Sequence, residues 1–369
     1  MSDGSRRIYY REDMEYRPGR LTIEKQLQLY EKHPDKSERA ATLWHAWQQN
    51  KRWLIRLLEL TLASFPSYSR HDASHAEAVI HNIERVLGEE RIAQLSATDC
   101  FAILHTVYIH DIGMAILAED RKRIVESDEF VEMIDDLVDG ADKDLKNAAR
   151  LLKRNYYYEE TNEEIDYDSS DFHNAKKKLY ADKLETYYAV VQLLAEYQRK
   201  CHGEKAASNV KDWIFDKDKL RAEFTMSGVP MRIFFRIADC ARLHTDWEFQ
   251  HILELPTEEN GYENDMLHPR FVAVMLQLGD ALDIDNDRFH PFAHAFSGHF
   301  PIKSQDHYNK HLAIRTLKIT PEEIVVEADC ETREAMRLIR NECDGIEGLL
   351  KSTSYYWSRI VPRGFSGAL

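Results

Sequence analysis

Apolar residues recur at three- and four-residue intervals along most of this chain, the spacing of helices that each keep one face in a core. Ile23, Leu27 and Tyr30 make a short stripe. Ala41, Trp44, Trp47, Trp53, Leu54, Leu57, Leu58 and Leu62 make a longer one after the turn at His33-Pro34-Asp35, and Phe65-Pro66-Ser67 stops it. Residues 71–87 turn Val79, Ile83, Val86 and Leu87 to the core and end at Gly88. Between 102 and 114, Ile103, Leu104, Val107, Tyr108 and Ile112 predict a helix with a wide buried face. The pattern returns from Leu184 through Val191, Leu194 and Tyr197 to Ser208, again over 229–247, and again over 268–289, which is apolar from Phe271 to Leu278. LAIRTLKI and IVVEADC flank Thr320-Pro321-Glu322-Glu323, and their β-branched content predicts a hairpin before a last helix over Glu331–Lys351. The fold class is therefore mainly α, with a small C-terminal β-hairpin and helix.

Two stretches break the pattern. Residues 1–20 are polar and aromatic without a period, which describes an arm that docks on the body or stays mobile. Between Arg154 and Lys178 low hydrophobicity and high charge predict a mobile acidic insertion, either a flap over a site or an exposed loop without a role. His173 lies within it and is given no role.

Charge and cysteines narrow the function classes. Forty-nine Lys and Arg against 64 Asp and Glu give a net charge of −15 over 369 residues, which argues against nucleic-acid or anionic-membrane binding over the general surface and leaves room for a local basic pocket. The five cysteines show no CxxC and no short spacing, so the simplest reading is reduced thiols in a cytoplasmic protein. The first residues carry no apolar export signal, and no apolar run is long enough for a membrane span. There is neither a GxGxxG string nor a Walker lysine loop. The string DIDNDRFHPFAH from Asp283 lacks the Gly and Glu of a calcium loop at its sixth and twelfth positions, where Arg288 and His294 stand, so an EF-hand is rejected.

Each predicted core helix offers a polar residue at or near the end of its apolar run. His110-Asp111 closes the 102–114 helix, and lining a core with an imidazole and a carboxylate is costly unless both have partners. A shared metal ion is one such partner; a backbone carbonyl for the His and a turn for the Asp are the other. His71 and His75, four apart, lie on one helix face and fit metal ligands, a supporting pair or an exposed coincidence. His202, His244 and Asp280 occupy the later helices.

Taken in order, His75, His110-Asp111, His202, His244 and Asp280 resemble the HD superfamily of metal-dependent phosphohydrolases, over about residues 60–290. The strings FPSYSRHDASHAEAV, YIHDIGM, YQRKCHGEKAAS and LQLGDALDIDNDR are similar to the HD-CE group of bacterial conflict systems, which implies a setting in antiviral defence. The resemblance implies an HD-domain helical bundle over 61–300, between N-terminal packing helices (1–60) and the hairpin with its helix (301–369). It implies His75, His110, Asp111 and Asp280 as ligands of one metal and adds His202 and His244 for a second, with Asp239 and His251 as nearby competitors. Asp111 would bridge the two ions, and His71 is a fallback first ligand or a catalytic group on the substrate side. Lys205 beside His202, and Arg70 beside His71, are candidates to contact substrate phosphates, Lys205 also as a catalytic residue. A mixed imidazole and carboxylate set suits Mn, Fe, Ni or Zn over Mg or Ca. The implied activity is hydrolysis of a nucleotide phosphoester or phosphoanhydride by a metal-activated hydroxide. The alternative is a nucleotide-binding sensor acting on a partner domain or a second copy, and the closing GFSGAL, unlike a natural helix end, reads as the cut end of a longer protein.

Overall fold

Ala97–Ile109 (α4) runs through the interior because nothing along it needs solvent: every residue from Thr98 to Ile109 is buried. Ser96 starts it, its hydroxyl accepting the Asp99 amide at 2.8 Å. Asp99 in turn takes the backbone N–H and the Nδ1 of His268, both at 2.8 Å, tying the start of α4 to the segment before Pro269–Ala281 (α11). The computed structural model describes residues 20–31, 37–65, 71–159, 170–215, 226, 228–246, 248–284 and 302–365.

Around α4 pack Ile23–Glu31 (α1), Ser37–Ser64 (α2), Ala73–Ile92 (α3), Met231–Arg242 (α9) and α11. Their apolar faces share one core with Trp47, Phe101, Tyr108, Phe234 and Phe271 at its centre. A second cluster joins Asp128–Val138 (α6), Lys143–Glu159 (α7) and the stretch 189–195 of Ser170–Phe215 (α8), next to the short Ala118–Val125 (α5). A third lies under the hairpin Ile314–Ile319 (β1) and Ile324–Ala328 (β2), flanked by Ile302–Ala313 (α12) and Arg333–Tyr355 (α13). A two-residue ladder, Glu259–Asn260 with Met266–Leu267, follows Phe249–Glu254 (α10). The fold is mainly α with the small C-terminal hairpin, as the periodicity predicts.

Three boundaries differ from the sequence reading. Helix α3 kinks at Gly88 and continues to Ile92. Helix α4 stops at Ile109, so His110 caps it and Asp111 stands in the turn before a 3-10 segment, Ile112–Met114. Helix α8 begins at Ser170, so the last part of the acidic stretch is helical. Residues 160–169 of that stretch, like the N-terminal arm over 1–19, the rejected calcium string from 285 on, and Arg70, lie outside the described residues. Among the described residues no single helix is long and apolar enough to cross a membrane.

The 46 residues of α8 reach about 69 Å at 1.5 Å per residue. Its stretch 189–197 serves the second core and its later stretch, through Ala206, Ala207, Val210 and Ile214, the main one. Close crossings hold the bundle around the doublet. A Cβ on Gly113 would overlap the His202 carbonyl, so only glycine lets the turn after Asp111 lie directly on α8. At the crossing of α11 on α3, a Cβ on Gly279 would meet Val79 O at 2.8 Å and Ile83 Cγ1 at 2.7 Å. Gly279→Ala should therefore destabilise the protein by about 1–3 kcal/mol through overpacking, read as a lower urea midpoint with an unchanged slope; an unchanged midpoint would show that the helices separate freely there.

Candidate metal centre

Four imidazoles are held through Nδ1, three by a backbone carbonyl and one by a carboxylate. His110 Nδ1 donates to the Val107 carbonyl at 2.6 Å, His202 Nδ1 to Arg199 O at 2.9 Å and His244 Nδ1 to Ala241 O at 2.6 Å, in each case three residues back along the chain. His75 Nδ1 meets the Asp283 carboxylate at 2.6 Å. A carbonyl only accepts, so Nδ1 carries the proton and the neutral ring offers its Nε2 lone pair. These Nε2 atoms converge in pairs: His75 and His110 at 3.2 Å, His202 and His244 at 2.9 Å. Lone pairs facing each other at that distance repel, and a cation shared between the rings turns the approach into attraction. The donor set thus fits a metal ion, by the ring orientations themselves.

Asp111 is the hub. Its Oδ2 lies 2.7 Å from His71 Nδ1 and 3.2 Å from both His75 Nε2 and His110 Nε2, while its Oδ1 lies 3.5 Å from His202 Nε2 and 3.8 Å from His244 Nε2. Asp280, at the end of α11, adds Oδ1 at 3.2 Å from His75 Nε2 and 4.0 Å from His110 Nε2. Among the described residues, three groups have ligand atoms close enough to hold an ion: His71 with His75 and Asp111; His75 with His110 and Asp280; His110 with Asp111 and His244. Burial alone would raise the Asp111 carboxyl, but His110 and His71 outweigh it and hold the group well below the usual carboxylate range. Burial, with His110 and His202 adding to it, pushes His244 down to about 3, so this ring stays neutral and able to ligate at physiological pH.

The structure brings together His71, His75, His110, Asp111, His202, His244 and Asp280 from five segments of the chain. Lys205 stands apart: its Nζ donates to Gln198 Oε1 at 2.5 Å and lies over the Tyr197 ring, on the wall of a separate cavity. Burial lowers its pKa. The competitors lie elsewhere. Asp239 pairs with Arg236 and Lys211, and His251 with Asp246 at 2.6 Å. His173 is on α8, and nothing is described of its side chain.

Asp283 is the residue that sequence reasoning missed. It follows Asp280 by three positions, and its signal was hidden in an acidic string weighed only as a calcium loop. Its place against His75 Nδ1 is that of the carboxylate that orients a ligating imidazole and raises its basicity.

The family model described as HD-CE matches residues 65–352 of the chain. No curated protein and no solved structure matches it.

Asp283→Asn should weaken retention of divalent metal by about 10–100-fold, the usual effect of losing such a supporting carboxylate, with the helical content unchanged. Competition against a chelator, read by elemental analysis, measures it; unchanged retention would remove Asp283 from the site.

Proposed function

The chain belongs to the HD-CE family, and on that membership and the ligand geometry we propose that it is a metal-dependent phosphohydrolase that cleaves a phosphoester or phosphoanhydride bond of a nucleotide. The observation that carries the reading is the division of Asp111: Oδ2 faces His71, His75 and His110, and Oδ1 faces His202 and His244. One buried carboxylate directed at two imidazole sets is what a two-ion site would require. His75, His110, Asp111 and Asp280 would hold one ion, and Asp111, His202 and His244 would hold the other. The nitrogen-rich set favours Mn, Fe, Ni or Zn. Two such ions would supply positive charge for the phosphoryl oxygens and a water nucleophile at neutral pH.

The protein's own groups do the rest. Val107, Arg199 and Ala241 carbonyls fix three rings, so no reorientation is needed when negative charge builds on the phosphoryl group. His71 is more exposed than the residues behind it, with 17% of its side chain open against 5% for Asp111. It is therefore the ring placed to carry a proton between the centre and solvent, while Asp111 holds its Nδ1 side.

Screening nucleoside triphosphates, monophosphates and cyclic dinucleotides with each of the four metals, with products separated by chromatography, should reveal hydrolysis. Asp111→Ala should lose most metal and more than about 100-fold in turnover, beyond the effect of a supporting carboxylate. His202→Ala or His244→Ala should lower the metal content from about two per chain towards one and cut turnover sharply, with circular dichroism unchanged. His71→Gln should keep the metal and lose rate. Undiminished metal in Asp111→Ala, or no hydrolysis with any ion, would overturn the proposal.

A further inference from the structure

A cavity of about 850 Å³ lies beside the doublet turn, between α2, α5 and α8. Ile112 and Gly113 form part of its wall, yet none of the His or Asp residues of the metal centre lines it. The two spaces are separated where the glycine turn lies directly on the His202 backbone, with no room for a methyl group between. Its volume falls in the range of small-molecule sites, about 300–1,000 Å³.

The lining has a definite chemistry. Three cations, Arg56, Arg123 and Lys205, face it against one carboxylate, Asp120, in a chain whose net charge is −15. Arg123 is at the exposed rim, paired to Asp120. Lys205 sits deeper. Its polar neighbours are the Gln198 amide oxygen and the Cys201 thiol, and among the described residues no carboxylate lies within ion-pair distance of its Nζ. A half-buried ammonium held by a neutral amide is a group whose charge is left for something else to match. Ser208 and Asn209 add donors on the same helix, and Trp53 and Trp213, edge to face at 4.6 Å, present aromatic surface. Cations beside hydroxyls and indole faces suit an anion attached to a flat ring.

We propose that this cavity is a second ligand site, distinct from the metal centre, that binds a phosphorylated small molecule of nucleotide size, with Lys205 on its phosphate groups and the tryptophans beside its ring. The site does not depend on the hydrolytic reading, because none of its residues is a proposed metal ligand. It does touch the same turn: Gln198, whose Oε1 holds Lys205, donates its Nε2 to the Gly113 carbonyl, two residues after Asp111.

The test is titration with N-methylanthraniloyl-ATP, read by energy transfer from tryptophan, on the metal-loaded protein, on protein in excess EDTA and on Asp111→Ala. Saturable binding should persist in all three. Lys205→Gln and Arg56→Gln should each raise Kd by about tenfold or more, the worth of one charge-assisted hydrogen bond, and leave metal content unchanged. Inorganic pyrophosphate and adenosine separate the sources: displacement by pyrophosphate alone identifies a polyphosphate ligand, and displacement requiring a nucleotide identifies the base as part of it. Binding that disappears in EDTA and in Asp111→Ala but survives Lys205→Gln would place the probe at the metal centre and overturn the proposal. So would the absence of any saturable binding. That result leaves the hydrolysis assay untouched, and a failed hydrolysis assay leaves this titration untouched.

Discussion

The structure depends on one costly object, a carboxylate placed in the interior and surrounded by imidazoles. Moving Asp111 out of water is unfavourable, and the cost is met only because histidines on α3 and α8, just before α3 and just after α4 and α9 turn their nitrogens to it. Each of those rings must be aimed. The helix and turn carbonyls three residues back do this for His110, His202 and His244, and a second carboxylate does it for His75. The places where α4 and α9 stop follow from this need: a ring that bonds back to its own helix end can project past it into the centre.

The helices were largely legible in the sequence, because a core of this size demands long apolar stripes, and so were the His and Asp side chains that the structure gathers in one place, because most of them stand at or near the end of such a stripe. What was not legible follows from the same physics. The first turns of α8 fall in a stretch where charged residues outnumber apolar ones, which reads as an insertion rather than a helix. Asp283 sits in an acidic run in which one carboxylate looks like another until a ring is placed against it. Lys205 is three residues from His202, close enough to be read as part of the same site, yet the helix directs it into a space built from α2, α5 and the turn after the doublet. Such a cavity has no linear signature, since its walls come from segments more than 150 positions apart.

Two stretches of α8 belong to different cores, 189–197 to one and 206–214 to the other, and His202 lies between them. His75 meets Asp280 across the centre, so the centre closes a loop of more than 200 residues. Local helix formation cannot assemble it; the distant segments have to meet first, and that closure carries an entropy cost that grows slowly with the length of the loop. A cation bound there favours the fully docked chain over every partly assembled one. An ion bound there would act as a topological lock, closing only on molecules whose two cores have already been brought into register by α8.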